Sequence, residues 1–241
     1  MLVLLAAAPA GAEGPFGGSV RSLLLDGKAV APVWAATSRG LFHFQGARWQ
    51  RVAGLGQTDL VAVAQAADRL LVADANGSVA ASEDGGATWQ PSVTGLRGRY
   101  GHPPRGLFTL AVERGDPTRV FAGSAGQGVF ESRNAGRTWR LLFEGLEEEP
   151  PPALHAVAVL PTRGQRPLLS GTQGRGLFAW TDAGWKGVGE GLPPGLRVQC
   201  LAEDPARPLH LALGTRGEGL WESEDGGASW RLLRKGLFGV V

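Results

Sequence analysis

The stretch SEDGGATWQ at residues 82–90 returns as SEDGGASWR at residues 223–231, with a looser copy, SRNAGRTWR, at residues 132–140. Three copies of one phrase in a single chain indicate a repeated supersecondary unit. Within each copy, a short polar side chain can cap the turn, a glycine supplies positive φ, and the tryptophan can pack on a sheet. The residues assigned to this structural role are Ser82, Asp84, Gly86, Thr88, Trp89, Ser132, Asn134, Gly136, Thr138, Trp139, Ser223, Asp225, Gly227, Ser229 and Trp230.

The tryptophans set the period of the repeat. Trp49, Trp89, Trp139, Trp185 and Trp230 lie 40 to 50 residues apart, a length that suits one four-stranded blade of a β-propeller. Four strand-like segments recur around each tryptophan, and no window shows a helical period. The sequence therefore predicts an all-β fold.

A four-stranded sheet has two faces to bury, so such units stack radially until a ring closes. We expect one five-bladed β-propeller over residues 17–241, with the repeated hairpins joining the third and fourth strands. The predicted blades cover residues 17–55, 56–96, 97–146, 147–192 and 193–241. The remaining residues, 1–16, form an apolar run followed by Ala10-Gly11-Ala12 and resemble a signal peptide, although no basic residue precedes the run. We therefore expect an extracytoplasmic protein, periplasmic or secreted.

The motif residues resemble the Asp-box, or BNR, repeat of sialidases, the sortilin ectodomain, xyloglucan-hydrolysing enzymes and the photosystem II assembly and stability factors. The phrase GTRGEGLWESEDGGASW at residues 214–230 is most similar to the last group and its bacterial relatives. This resemblance covers nearly the whole chain and implies the propeller fold. It says little about function, because the shared residues are structural. Members of the assembly-factor group generally have seven blades, whereas this chain offers five.

The sequence lacks the residues that several classes of function require. A sialidase needs a tyrosine nucleophile, and the single tyrosine, Tyr100, reads as a loop anchor that packs on Pro103 or Pro104. The four histidines are scattered without ligand-like spacing, so we expect no metal and no cofactor. Cys200 lies in an apolar run and reads as a buried, inert thiol. The net charge of +2 and the lack of interleaved aromatic and basic residues argue against nucleic acid. We therefore expect that the protein is not an enzyme. The alternative is a sialidase-like glycosidase.

The loops opposite the repeated hairpins are the candidate binding surface. They join the second and third strands of each blade, or one blade to the next, and they are rich in arginine, which suits the capture of carboxylates. The predicted partner-binding residues are Arg39, Arg97, Arg99, Tyr100, Arg105, Arg175, Arg197, Arg216 and Glu218. A simpler interpretation of these charges is that they keep the loops soluble.

From these residues we expect a non-enzymatic, exported binding or assembly scaffold. Its partner would be a protein segment or a membrane-protein complex, and the chain itself would not span the membrane. The alternative partner is a glycan, bound or hydrolysed by a sialidase-like propeller.

Overall fold

The computed structural model describes residues 18–25, 33–45, 47–98, 100–144, 154–158 (backbone only) and 168–233. These residues form twenty strands in five four-stranded antiparallel sheets. The strands are β1 (Val20–Leu24), β2 (Trp34–Thr37), β3 (Gly40–Gln45), β4 (Arg48–Arg51), β5 (Leu60–Ala66), β6 (Arg69–Asp74), β7 (Val79–Ser82), β8 (Gln90–Pro91), β9 (Leu107–Glu113), β10 (Asp116–Ser124), β11 (Gly128–Ser132), β12 (Arg140–Leu142), β13 (Leu154–Ala158), β14 (Leu169–Thr172), β15 (Leu177–Thr181), β16 (Gly184–Val188), β17 (Val198–Asp204), β18 (Arg207–Thr215), β19 (Leu220–Ser223) and β20 (Arg231–Leu232).

Each sheet is a meander in which every strand pairs with the next one along the chain. We number the sheets in chain order: sheet 1 holds β1–β4, sheet 2 β5–β8, sheet 3 β9–β12, sheet 4 β13–β16 and sheet 5 β17–β20. The described part of the chain contains no helix with the length and apolar character needed to span a bilayer.

Four apolar clusters join neighbouring sheets face to face. Sheets 1 and 2 share one cluster, sheets 2 and 3 the next, and the series continues through sheets 4 and 5. Each cluster contains the tryptophan of its later sheet, in the order Trp89, Trp139, Trp185 and Trp230. Because each indole packs against the preceding sheet, the tryptophans act between sheets rather than within one.

A backbone hydrogen bond accompanies three of these indoles. The N–H groups of Trp139, Trp185 and Trp230 donate to carbonyls at the end of the preceding sheet, at distances of 2.8–2.9 Å. Two of the three acceptors, Thr94 and Glu190, precede a glycine with positive φ. At Gly95 a Cβ atom would meet the carbonyl oxygen of Trp139, so the close approach requires glycine. The pairs Gly95-Leu96 and Gly191-Leu192 therefore serve the contact between sheets.

The repeated hairpin turns are held by their polar side chains. In the first copy, the Ser82 hydroxyl accepts the Gly86 N–H at 2.7 Å, and Asp84 accepts both the Thr88 N–H at 2.8 Å and the Thr88 hydroxyl at 2.6 Å. In the second copy, Asn134 replaces the aspartate and accepts the corresponding N–H at 2.8 Å. A neutral amide can therefore cap this turn.

This difference between the copies predicts a pH effect. The hydrogen bonds from Thr88 and Ser82 hold the pKa of Asp84 at about 2, below its ordinary value of 3.8. Burial pushes the pKa of Asp225 upward, but hydrogen bonds from Ser229 outweigh it and give about 2. A carboxyl with a depressed pKa stabilises the fold above its ordinary pKa and loses that contribution as the pH falls from about 4 to about 2.

We expect the double substitution Asp84→Asn and Asp225→Asn to leave the protein folded at pH 7 and to flatten the fall of its thermal midpoint between pH 4 and pH 2. Thermal unfolding followed by circular dichroism at a series of pH values measures this slope. Asp182→Asn, outside the three motif copies, is the matched control. An unchanged acid slope in the double variant would contradict the role given to the two carboxylates.

Candidate functional site

The first strand of every sheet carries a β-bulge near its beginning. The register shifts at the second residue of β1, β5, β9, β13 and β17. A bulge re-aims the side chain of the extra residue and often lies beside a functional site. The bulged residues are Arg21, Val61, Phe108, His155 and Gln199. The equivalent position therefore carries a different residue type in each of the five sheets.

One cavity of about 330 Å³ collects these positions from sheets 1, 2, 3 and 5. It is therefore lined by strands that lie far apart in the sequence, as expected when first strands surround a central channel. The lining residues are Arg21, Ser22, Val61, Ala62, Phe108, Thr109, Leu110, Gln199, Cys200 and Leu201. We call this cavity the channel mouth.

The channel mouth lies at the end of the sheets where the predicted binding loops emerge. Its residues are at the start of the first strands, and those starts follow directly on the segments that link one sheet to the next. The loops between second and third strands contact the same segments: the Ala75 N–H donates to the Asp59 carbonyl, the Ala125 N–H to Gly106 and the Arg216 N–H to Arg197. We call this end the loop face.

Arg21 is the cationic residue of the channel mouth. Its guanidinium donates to Asp59 at 3.1 Å, and both side chains remain partly accessible to solvent. The second carboxylate oxygen of Asp59, Oδ1, is buried without a hydrogen-bond partner. The mouth thus combines an anchored cation with an apolar wall formed by Val61, Phe108 and Leu201.

A second cavity, of about 390 Å³, lies on the same face between sheet 4 and the segment that leads to sheet 5. Its walls include Arg175, Leu177, Val188 and Leu192, together with Pro193. Like the channel mouth, it places one arginine beside apolar side chains, and its wall also includes Glu190.

The described members of the predicted binding set are all exposed, and all lie on segments of the loop face. These are Arg39, Arg97, Tyr100, Arg105, Arg175, Arg197, Arg216 and Glu218. Arg99 lies outside the described residues. The cavities themselves take only Arg175 from this set, so the other arginines surround the cavities rather than line them.

One prediction from sequence is wrong. Cys200 is not a buried thiol, because it is exposed in the wall of the channel mouth. The apolar run around it suggested burial, but the residue lies at the bulged start of a strand. The packing of Tyr100 on Pro103 or Pro104 stays a prediction, and 70% of the surface of Tyr100 is exposed.

No protein-family model matches the chain, and no curated protein matches it. Solved structures do match in fold. The extracellular domain assigned to a one-component system of B. thetaiotaomicron superposes with a TM-score of 0.68 at 15% identity, over 89% of this chain and 27% of that one. The GH74 xyloglucanase from Xanthomonas campestris gives a TM-score of 0.60 at 19% identity, over 83% of this chain and 36% of that one.

These similarities confirm the predicted fold class, an all-β propeller. At such identities they concern the fold alone, and this chain spans about a quarter to a third of the length of these two structures.

Proposed function

We propose that the chain is a non-enzymatic binding scaffold that holds a segment of a partner protein at the loop face. The observation that carries this proposal is the channel mouth, where bulged residues of four first strands meet in one cavity at the end of the sheets that also carries the exposed arginines.

The chemistry of this face suits an extended segment that bears both carboxylate and apolar side chains. Arginine binds carboxylates in bidentate fashion and is frequent at binding hot spots. The apolar walls beside Arg21 and Arg175 offer places for the segment's apolar residues. The structurally similar domain from B. thetaiotaomicron is extracellular, which agrees with the export that the signal-like segment suggests. We further propose membership in the Asp-box repeat group, and within it a resemblance to the photosystem II assembly factors.

The second candidate is a glycan-binding or glycan-hydrolysing propeller, and the xyloglucanase neighbour favours it. A paired-carboxylate glycosidase needs two acidic side chains about 5 to 10 Å apart across its cleft. The residues that line the channel mouth include no carboxylate, and Asp59 beside it is bound to Arg21. The described side chains at this site therefore favour binding over hydrolysis.

Charge reversal on the loop face tests the proposal. We expect the triple substitution of Arg39, Arg175 and Arg216 by glutamate to reduce capture of the partner from envelope extracts at least tenfold, measured by quantitative mass spectrometry of pull-downs. The matched control reverses Arg48, Arg114 and Arg137, which lie on the hairpins of the opposite face, and gives the same change in net charge. This control should retain capture.

Two results would overturn the assignment. Capture that survives reversal of the three loop-face arginines would exclude this surface. Turnover in a fluorogenic glycoside panel would favour the enzyme. Binding on a glycan array that is lost when the three loop-face arginines are reversed would show that the ligand is a carbohydrate rather than a protein segment.

A further inference from the structure

The sequences of sheets 3 and 5 align without a gap, and one group of charged side chains differs between them. Residues 107–142 align with residues 198–233 without insertion, so that Glu131 corresponds to Glu222, Arg119 to His210 and Arg133 to Glu224. Both groups lie at the same place, on the sheet face turned away from the preceding sheet, because Leu211 and Leu213 on the other face pack against sheet 4.

In sheet 3 this group is a set of ion pairs in which arginines outnumber carboxylates. The Glu131 carboxylate has no exposed surface and accepts hydrogen bonds from Arg119 at 2.7 Å, Arg140 at 2.7 Å and Arg133 at 3.2 Å. Arg119 also binds Glu113 at 2.9 Å. Three arginines thus surround a buried acidic centre, which is the arrangement expected of a structural cluster.

In sheet 5 two of those three arginines are absent. Three carboxylates, those of Asp204, Glu222 and Glu224, are left with the guanidinium groups of Arg207 and Arg231 and the imidazole of His210. The site therefore lacks one positive charge when the imidazole is neutral. A bound cation would offset this excess of negative charge.

Three side chains of this group in sheet 5 carry atoms of the kinds that bind metal ions, and these atoms lie close together. One ligand atom each from His210, Glu222 and Glu224 lie within 4.8 Å of one another. His210 Nε2 is 3.3 Å from Glu222 Oε2. Two ligands bound to Zn²⁺ at about 2.0–2.1 Å in a tetrahedral site lie roughly 3.4 Å apart, so this pair needs almost no movement. The side chain of Glu224 is 66% exposed and can rotate to complete the set.

The surroundings also supply a partner for the other imidazole nitrogen. A metal-bound histidine usually donates its second N–H to a carboxylate, which fixes the ring. His210 Nδ1 lies 3.7 Å from Asp204 Oδ2. Arg207 now donates to Nδ1 at 3.0 Å, but its guanidinium also binds Asp204 and is largely exposed, so it can move aside.

We propose that His210, Glu222 and Glu224 form a binding site for a divalent transition cation of the Zn²⁺ class. Mixed imidazole and carboxylate ligands suit such borderline cations, and three protein ligands leave a fourth position open. The competitor in the metal-free state is Arg231, which binds Glu222 at 3.2 Å and Glu224 at 2.8 Å. This site is separate from the loop face and does not depend on the function proposed there.

The test uses the full chain without an affinity tag, titrated with Zn²⁺ alone by calorimetry and with Co²⁺ alone by visible absorption. We expect one equivalent to bind, with the Co²⁺ spectrum of a four-coordinate site. His210→Arg and Glu224→Arg restore the residues of sheet 3, so both should fold, and each should weaken Zn²⁺ binding by roughly tenfold or more. Arg231→Gln removes the competing cation and should tighten binding.

His102→Ala, which removes an exposed histidine on the loop face, is the control and should bind Zn²⁺ as the unaltered chain does. The proposal is wrong if His210→Arg binds Zn²⁺ as tightly as the unaltered chain. It is also wrong if neither the unaltered chain nor Arg231→Gln binds Zn²⁺ or Co²⁺, since the latter variant removes the one described competitor for both carboxylates.

Discussion

Replacement of Trp139 by alanine is expected to lower the free energy of unfolding by about 3–5 kcal/mol, the usual cost of removing a buried aromatic side chain. The indole is 4% exposed and lies in the cluster between sheets 2 and 3. Its Nε1–H donates to the carbonyl of Ser92 in the preceding repeat at 2.9 Å. The substitution therefore removes apolar contact and leaves a buried carbonyl without its donor.

Chemical denaturation at pH 7 measures this loss. Trp139→Phe keeps most of the ring and should cost less, about 1–3 kcal/mol for the unsatisfied carbonyl. Trp49→Ala is the matched control, because Trp49 is the corresponding residue of sheet 1, is only half-buried and belongs to none of the four described clusters between sheets. If Trp49→Ala cost as much as Trp139→Ala, the indoles would not act between sheets.

Glu131→Ala is the second substitution with a large expected effect, a loss of about 3–5 kcal/mol. Burial alone would raise the pKa of Glu131, but the hydrogen bonds and charges of Arg119 and Arg140 hold it below its usual value. The carboxylate is thus ionised and fully enclosed, and its removal leaves Arg119 with its hydrogen bond to Glu113 and its contact with the Phe121 ring.

The internal repeat supplies the control for this substitution. Glu222 occupies the equivalent position in sheet 5, but its side chain keeps 17% exposure and its partner Arg231 is largely in solvent. Glu222→Ala, measured by denaturation in the presence of a metal chelator, should cost about 1 kcal/mol or less. Equal losses in the two variants would show that burial does not distinguish the two clusters.

The fold could be predicted because its determinants are local and repeated. The spacing of the tryptophans gives the length of a unit, and the Ser-Asp-Gly-Thr pattern specifies a turn that the structure builds from hydrogen bonds within one hairpin. Such short-range patterns can be recognised in a single sequence. Whether the five sheets close into a complete ring stays a prediction, since the four described clusters join each sheet only to its neighbour in the chain.

The candidate site was harder to predict because it depends on contacts between distant residues. The loop face follows from topology, but the channel mouth depends on bulges, and a register shift leaves no mark in the alternation of a short strand. The cluster around His210 was also hidden in the sequence. His210 has no ligand-like spacing to another histidine, and the pairing of strands in a hairpin brings it close to Glu222. The signal that reveals this cluster is the difference between two repeats, Arg119 against His210 and Arg133 against Glu224.

The first strands of sheets 1 and 5 meet at one channel mouth. Cys200 is the single cysteine of the chain, and Ser22 lies across the same cavity on β1. The most direct measurement is intramolecular cross-linking of the Ser22→Cys variant by a short bifunctional maleimide, read by peptide mass spectrometry on monomeric protein. We predict a cross-link between the introduced thiol and Cys200 that is lost on denaturation, whereas labelling of both thiols without a cross-link would contradict the account.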